Sequence, residues 1–350
     1  MRKWCQSPVF CVRPGSSDGQ AQQGFGRMMA KIVEDRGDNG MQYRQLDGTD
    51  LRVSEIGFGG WAMGKLFWGE DVVDEDSVAA VRRALELGIN FFDTAAVYGE
   101  GHSERVLAQG LGSRRGEVIV ATKCGRRRDA EGKLFNDSSR AGIRAECEQS
   151  LRNLQTDYID LYQVHWPDEQ TPFEDTMAAL RELREEGKIR HIGVSNFTIP
   201  MMDRMRAAGP LVSLQPPYSL LRRDAEAELL PYCREHDLAV LCYSPMQRGL
   251  LTGKYRPGAT FPESDTRSRD PMFQGERLER IVTAVDKMAR MAAEHGKTAG
   301  QMAIAWVLNQ PGVTVALCGA KRPHHIEESA GAAGWVLSAE EERRLREMFV

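Results

Sequence analysis

Short runs of β-branched and aromatic residues alternate along this chain with longer stretches whose apolar positions recur every three or four residues. The runs predict strands near residues 56–60 (IGFGG), 90–94 (NFFDT), 118–123 (VIVATK), 159–165 (IDLYQVH), 190–195 (RHIGVS), 211–215 (LVSLQ), 238–244 (LAVLCYS) and 314–319 (TVALCG). Between them, DEDSVAAVRRALELG predicts a helix with an acidic first turn, Val78, Val81 and Leu85 on one face, and Gly88 at its end. SRAGIRAECEQSLRNLQ, FEDTMAALRELREEG and AEAELLPYCREHD repeat the scheme, the last carrying Pro231. Strands apolar on nearly every residue are buried on both faces, as in parallel sheets covered by helices. Eight strand–helix units therefore predict an α/β protein, a (β/α)8 TIM barrel, in preference to a doubly wound sheet. No G-x-G-x-x-G follows the first strand, GFGGWAMG being the nearest approach. Ahead of that strand, MQYRQLDGTDLRVSEIG predicts a hairpin about Asp47-Gly48 that caps the barrel floor.

Residues 1–40 break this pattern. Gly, Ser, Gln and Arg dominate there, with six Lys/Arg against four Asp/Glu and no apolar periodicity. The segment is expected to be a disordered or non-native extension, leaving 41–350 as the folded domain. A formal charge of −4 gives no general reason to bind nucleic acid or an anionic membrane, and no apolar run has the length of a membrane-spanning helix. Seven cysteines without a C-x-x-C suggest neither disulfides nor a zinc site, and with the charge point to a cytoplasmic protein. Cys124 and Cys318 are expected as small buried groups at strand ends. His324 and His325 lack further ligands at metal spacing, so no metal is expected.

A parallel barrel collects its chemistry at the carboxyl ends of its strands. Asp93 ends the second predicted strand and Tyr98 follows it; Lys123 ends the third, His165 the fourth, Asn196 the fifth, Gln215 the sixth and Tyr243 the seventh. Four of these suit a tuned proton donor. A nearby Lys123 ammonium is expected to lower the pKa of Tyr98, Asp93 to hold Lys123 charged, and His165 to hydrogen-bond a substrate oxygen. Two other functions fit the same residues: a Schiff-base aldolase using Lys123, and a nucleotide-binding regulator without turnover. Arg126, Arg127 and Arg128 form a basic run in the loop after Lys123; such runs are ordinarily solvated, the alternative being an anion site for substrate.

The motifs FFDTAAVYG, VIVATK, DYIDLYQVHWPD and IGVSNF, in this order, resemble the aldo-keto reductases over residues 41 to 340. QPPYSLL, RGLLTGKY and DTRSRDPMF look most like bacterial members of the general stress protein type, which use NADPH on small aldehydes. The resemblance implies reduction of small carbonyl compounds, with Asp93, Tyr98, Lys123 and His165 as the catalytic set. It implies that Ser195, Asn196 and Gln215 bind the nicotinamide carboxamide, that Tyr243 stacks on the ring, and that Gly60 and Trp61 border it. The turn of Ser244, Pro245, Met246, Gln247, Arg248 and Gly249, with Lys254, would hold the pyrophosphate, and Arg267 in the long 255–274 loop would close over it. Gly319, Lys321, Arg322, His325 and Ser329 would meet the adenosine end, with Lys321 and Arg322 on a 2′-phosphate at the start of a helix. His325 and Ser329 stand where relatives often carry Gln and Asn, which leaves NADH use open. Trp61, Tyr98, His165 and Trp166 would line the substrate mouth. That mouth is expected to be open, because little chain follows the last helix. The sequence leaves the oligomeric state unread.

Overall fold

The computed structural model describes residue 37 and residues 40–65, 72–263 and 265–349. The expectation for residues 1–40 falls almost wholly outside them, as do Cys5 and Cys11. Eight parallel strands close into a barrel: β1 (Ile56–Gly59), β2 (Phe91–Asp93), β3 (Ile119–Cys124), β4 (Ile159–Val164), β5 (Ile189–Ser195), β6 (Ser213–Gln215), β7 (Ala239–Tyr243) and β8 (Val313–Gly319). Each strand pairs with its sequence neighbours, and β8 returns to β1 with Leu317 beside Gly57. The helices around it are α1 (Asp74–Glu86), α2 (His102–Leu111), α3 (Arg140–Leu154), α4 (Phe173–Glu185), α5 (Ile199–Ala208), α6 (Leu229–Glu235), α7 (Gly275–Ala293), α8 (Ala299–Leu308), α9 (Pro323–Ala330) and α10 (Ala339–Met348). All eight predicted strands are present, with ends displaced by a residue or two.

The twofold alternation of strands sorts the side chains. Phe92, Val120, Tyr162, Val194, Leu214, Val240 and Ala316 face outward into the layer of helices. Their neighbours Phe91, Ile119, Ala121, Leu161, Ala239, Leu241, Val315 and Leu317 fill the barrel interior. That interior leaves no room at β1: a Cβ on Gly57 would lie 2.8 Å from both Leu317 Cδ2 and Val315 Cγ1. The hairpin of Tyr43–Gln45 and Arg52–Ser54 caps the floor, and its Leu46, Leu51 and Val53 pack against the same interior residues. With the floor closed by apolar groups, the chemistry is confined to the opposite end.

Three local expectations are corrected. AEAELLPYCREHD forms a 3₁₀ turn at Asp224–Glu226 and only then α6, because the ring and missing N–H of Pro231 are tolerated only in a first turn. The Arg126–Arg128 run is a strand, paired antiparallel with Leu134–Asn136. The 255–274 loop carries 3₁₀ turns at Thr266–Arg269 and Pro271–Phe273, each started by an aspartate side chain that accepts a backbone N–H. Among the described residues no helix is long and apolar enough to cross a membrane.

Candidate active site

The inward alternation that fills the barrel turns polar at its last layer. Two residues beyond Phe91 stands Asp93, beyond Ala121 Lys123, beyond Leu161 Gln163, beyond Ser213 Gln215, and beyond Leu241 Tyr243. Lys123 Nζ lies 2.6 Å from Asp93 Oδ1 and 2.9 Å from the Thr94 carbonyl, with its side chain wholly buried. Gln215 and Gln163 donate their amide N–H groups to Asp93 Oδ2 at 2.8 and 3.3 Å. A buried carboxylate is thus held by one ammonium and two amides, as a charge inside a barrel requires. Gln163 was not anticipated. Its one legible trace is a polar residue inside the strand IDLYQV, two positions before His165.

Tyr98 is half-buried above this pair. Its ring centre is 5.2 Å from Lys123 Nζ and 5.6 Å from the His165 ring, which meets it edge-on at 80°. The direction of its acidity differs from expectation. Burial, and then the Asp93 carboxylate, push the Tyr98 hydroxyl well above its ordinary value, because Asp93 already neutralises Lys123. Burial, followed by the charges of Lys123 and Arg126, holds His165 well below its usual range. The resting site therefore presents a protonated phenol and a neutral imidazole. Burial also lowers Lys123, against the opposing pull of Asp93, so desolvation alone does not disfavour a Schiff base. Geometry does: Nζ is fully enclosed and spends its bonds on Asp93 and Thr94.

A second set lies beside His165. The Ser195 hydroxyl donates to the Gln215 carbonyl at 2.8 Å, and Asn196, at φ 62°, donates to the His165 carbonyl at 3.0 Å. The Tyr243 hydroxyl donates to Asn196 Oδ1 at 3.0 Å. Trp61, in a 3₁₀ turn after β1, and Tyr243 border a cleft of about 440 Å³ that continues over Ser244, Gln247 and Arg248. Gly60 ties this edge to β2 by donating to the Asp93 carbonyl at 2.7 Å. Arg222, Arg223 and Arg277 also line the cleft and were not anticipated; the first two were visible as the basic pair closing QPPYSLLRR.

Beyond Tyr243 the backbone turns sharply. Ser244, Gln247, Arg248 and Gly249 all have positive φ, and the Gln247 and Gly249 N–H groups close the turn on the Ser244 and Met246 carbonyls at 2.9 and 3.0 Å. Pro245 is buried beneath the turn and Met246 packs against the core. A Cβ on Gly249 would sit 2.7 Å from Lys254 Nζ, so only glycine lets that ammonium approach the turn. Arg248 is ion-paired with Asp270, and Gln247 donates to Met272 Sδ at 3.3 Å, so the turn is tied to the 255–274 loop. Arg267 pairs with Asp265 and donates to the Tyr255 hydroxyl at 2.5 Å.

The third set follows β8. Gly319 is exposed at the strand end, Lys321 and Arg322 precede α9, and Arg322 Nε pairs with Asp76 of α1 at 3.1 Å. Burial, then the charges of His324, Lys254, Arg322 and Lys321, bring His325 down to about 4. Lys254, Lys321 and Arg322 make this corner an anion-attracting surface. Ser329 is only 2% exposed, and its hydroxyl donates to the His325 carbonyl at 3.0 Å, so it is turned away from the surface. Trp166, 41% exposed, stands at the mouth beyond His165. Cys124 and Cys318 are buried, with burial raising both thiols, Cys318 to about 12.

Behind β3 lies Glu146, whose carboxylate accepts the Gly125 N–H at 2.8 Å and which burial pushes up to about 8. The unfolded chain ionises this group near its ordinary value. Between those two pH values the native state retains a proton that the unfolded state has lost, so stability falls as pH rises. Glu146→Gln is expected to gain about 1–3 kcal/mol over wild type on going from pH 5 to pH 8. Urea unfolding at both pH values checks this; an equal difference at each would contradict it.

A closed parallel barrel with a buried carboxylate–lysine pair, a tyrosine and a histidine at its mouth, and a positive-φ turn with a lysine beside them defines a nicotinamide-dependent oxidoreductase. The chain belongs to the aldo/keto reductase family, whose model matches residues 55–349, and is an NAD(P)H-dependent member of it. It is 42% identical over 306 residues to the aldo-keto reductase YhdN of Bacillus subtilis (strain 168), covering 87% of this chain and 92% of that one. It is 35% identical over 321 residues to the NADH-specific methylglyoxal reductase of Escherichia coli (strain K12), covering 87% and 97%. The solved glycerol dehydrogenase AKR11B4 from Gluconobacter oxydans superposes with a TM-score of 0.81 at 40% identity, covering 87% of this chain and 94% of that one.

Proposed function

We propose that this protein reduces aldehydes and ketones to alcohols with NADPH as its preferred cofactor, Tyr98 supplying the proton. The observation that carries the reading is the buried Lys123–Asp93 pair beneath Tyr98, with His165 edge-on to the phenol ring. Bound NADPH would supply a hydride to the carbonyl carbon. His165, neutral, donates its ring N–H to the carbonyl oxygen and fixes it against the Tyr98 hydroxyl. As negative charge grows on that oxygen, Tyr98 gives up its proton, and the Lys123 ammonium stabilises the phenolate left behind. Asp93 keeps Lys123 in place through the exchange. Solvent then returns a proton to Tyr98. The raised resting value of Tyr98 serves this scheme, because the donor stays protonated until a developing alkoxide calls on it.

The residues fit such a cofactor in three places. Asn196, linked by hydrogen bonds through the buried Ser195 to Gln215, suits a carboxamide beside Tyr243, the positive-φ turn with Lys254 suits a pyrophosphate, and Lys321 with Arg322 suits a 2′-phosphate. Arg248 and Arg267 would border the pyrophosphate from the loop. The preference for NADPH rests on the last pair. Lys321→Ala combined with Arg322→Ala is expected to weaken NADPH by at least about tenfold more than NADH, since each charge-assisted contact contributes about 1.5–3 kcal/mol. Titration of both cofactors against both proteins checks it; equal losses reject the assignment. The reading as a whole is tested by NADPH oxidation over a panel of aldehydes, dicarbonyls and ketones, repeated with NADH. The Escherichia coli relative named for NADH and methylglyoxal makes the second arm necessary.

A further inference from the structure

Of the three arginines that follow β3, Arg127 pairs with Asp137 at 2.7 Å, and Arg128 reaches the Gly132 carbonyl at 2.6 Å. Arg126 is different. It is half-buried, its guanidinium lies 6.0 Å from the centre of the Trp166 ring, and NH1 donates to Asn136 Oδ1 at 2.5 Å. Asn136 is a neutral acceptor, fixed from behind by its own bond to the Pro167 carbonyl at 2.8 Å. Among the described residues no carboxylate pairs with Arg126, and burial, with the like charge of Arg128, lowers its pKa. A partly desolvated guanidinium next to a second cation, oriented by a fixed amide and an indole face, is costly unless an anion completes it. Its place in the fold says whose anion. Arg126 is three residues beyond Lys123, Trp166 adjoins His165, and the Arg126 charge is felt at the His165 ring.

We infer that Arg126, held by Asn136 and Trp166, is a specificity-determining residue that selects carbonyl substrates bearing a carboxylate or phosphate one side-chain length from the reacting carbon. This rests on the reductase reading above and narrows its substrate class. The arginine supplies a planar fork to an anionic tail while the carbonyl oxygen lies between Tyr98 and His165, so recognition and chemistry engage opposite ends of one small molecule. The exposed Trp166 face lets the connecting carbons lie against an apolar surface.

The test compares 4-carboxybenzaldehyde, ionised to the carboxylate at neutral pH, with uncharged 4-methylbenzaldehyde, two aldehydes of comparable electrophilicity, in wild type, Arg126→Gln and Arg126→Lys. Wild type is expected to favour the carboxylate in kcat/KM by about ten- to a hundredfold. Arg126→Gln is expected to reduce that ratio at least about tenfold, chiefly through KM for the carboxylate, and Arg126→Lys to recover part of it. Turnover of the methyl compound reports that each variant is folded. Equal use of both aldehydes by wild type, or an unchanged ratio in Arg126→Gln, overturns this inference alone. Reduction of neither aldehyde by wild type, with NADPH or NADH, overturns the reductase reading on which it rests.

Discussion

Replacing Tyr98 by phenylalanine is expected to lower kcat for carbonyl reduction by about 10²–10⁴-fold, the usual contribution of a positioned general acid. The ring, its edge-on contact with His165 and its place over Lys123 all survive this change, since only the hydroxyl is removed. NADPH affinity should therefore remain within about twofold of wild type, which separates loss of the proton donor from loss of the site. Steady-state kinetics with a cofactor titration measure both. A Tyr98→Phe protein that turns over as fast as wild type would remove Tyr98 from the mechanism.

Replacing Lys123 by methionine carries the other large effect, on stability as well as rate. The lysine side chain is wholly buried and supplies the cation that Asp93 faces; the amides of Gln215 and Gln163 would remain but cannot neutralise the carboxylate. Removing one member of a buried ion pair costs about 3–5 kcal/mol, because the other charge stays desolvated. Methionine keeps the length and volume of the side chain, so a cavity adds little. Activity should fall together with stability, as the Tyr98 phenolate loses its stabilising cation. Adding Asp93→Asn should recover much of the stability and none of the activity. Chemical unfolding and turnover on the two proteins separate the roles. A single variant as stable as wild type would mean that the pair is not charged as described.

The barrel was legible because parallel strands buried on both faces read as apolar runs, and eight of them recur at the spacing of strand–helix units. The family motifs were legible for a related reason: the inward alternation that fills the barrel must end somewhere, and Asp93, Lys123, Gln215 and Tyr243 mark where it stops. What sequence order does not carry is depth and neighbourhood. Lys123 was expected to make Tyr98 more acidic, yet the enclosed Lys123–Asp93 pair sends little net charge upward, and burial prevails. Gln163 was passed over because a polar residue within a strand has no meaning until its partner two strands away is known. Arg126 read as one of three solvated charges, and only the pairing of Arg126–Arg128 with Leu134–Asn136 turns it toward Trp166. Ser329 shows the converse: a position implied by resemblance faces inward here and bonds its own helix.

The most direct test of the central claim, carbonyl reduction by hydride transfer with a proton from Tyr98, is the fate of deuterium placed at both C4 positions of the NADPH nicotinamide. Incubation with an accepted aldehyde should give the alcohol with one deuterium on the former carbonyl carbon, and the same reaction in deuterated water with unlabelled NADPH should place none there. Alcohol without the label from the cofactor, or deuterium entering that carbon from water, would contradict the account.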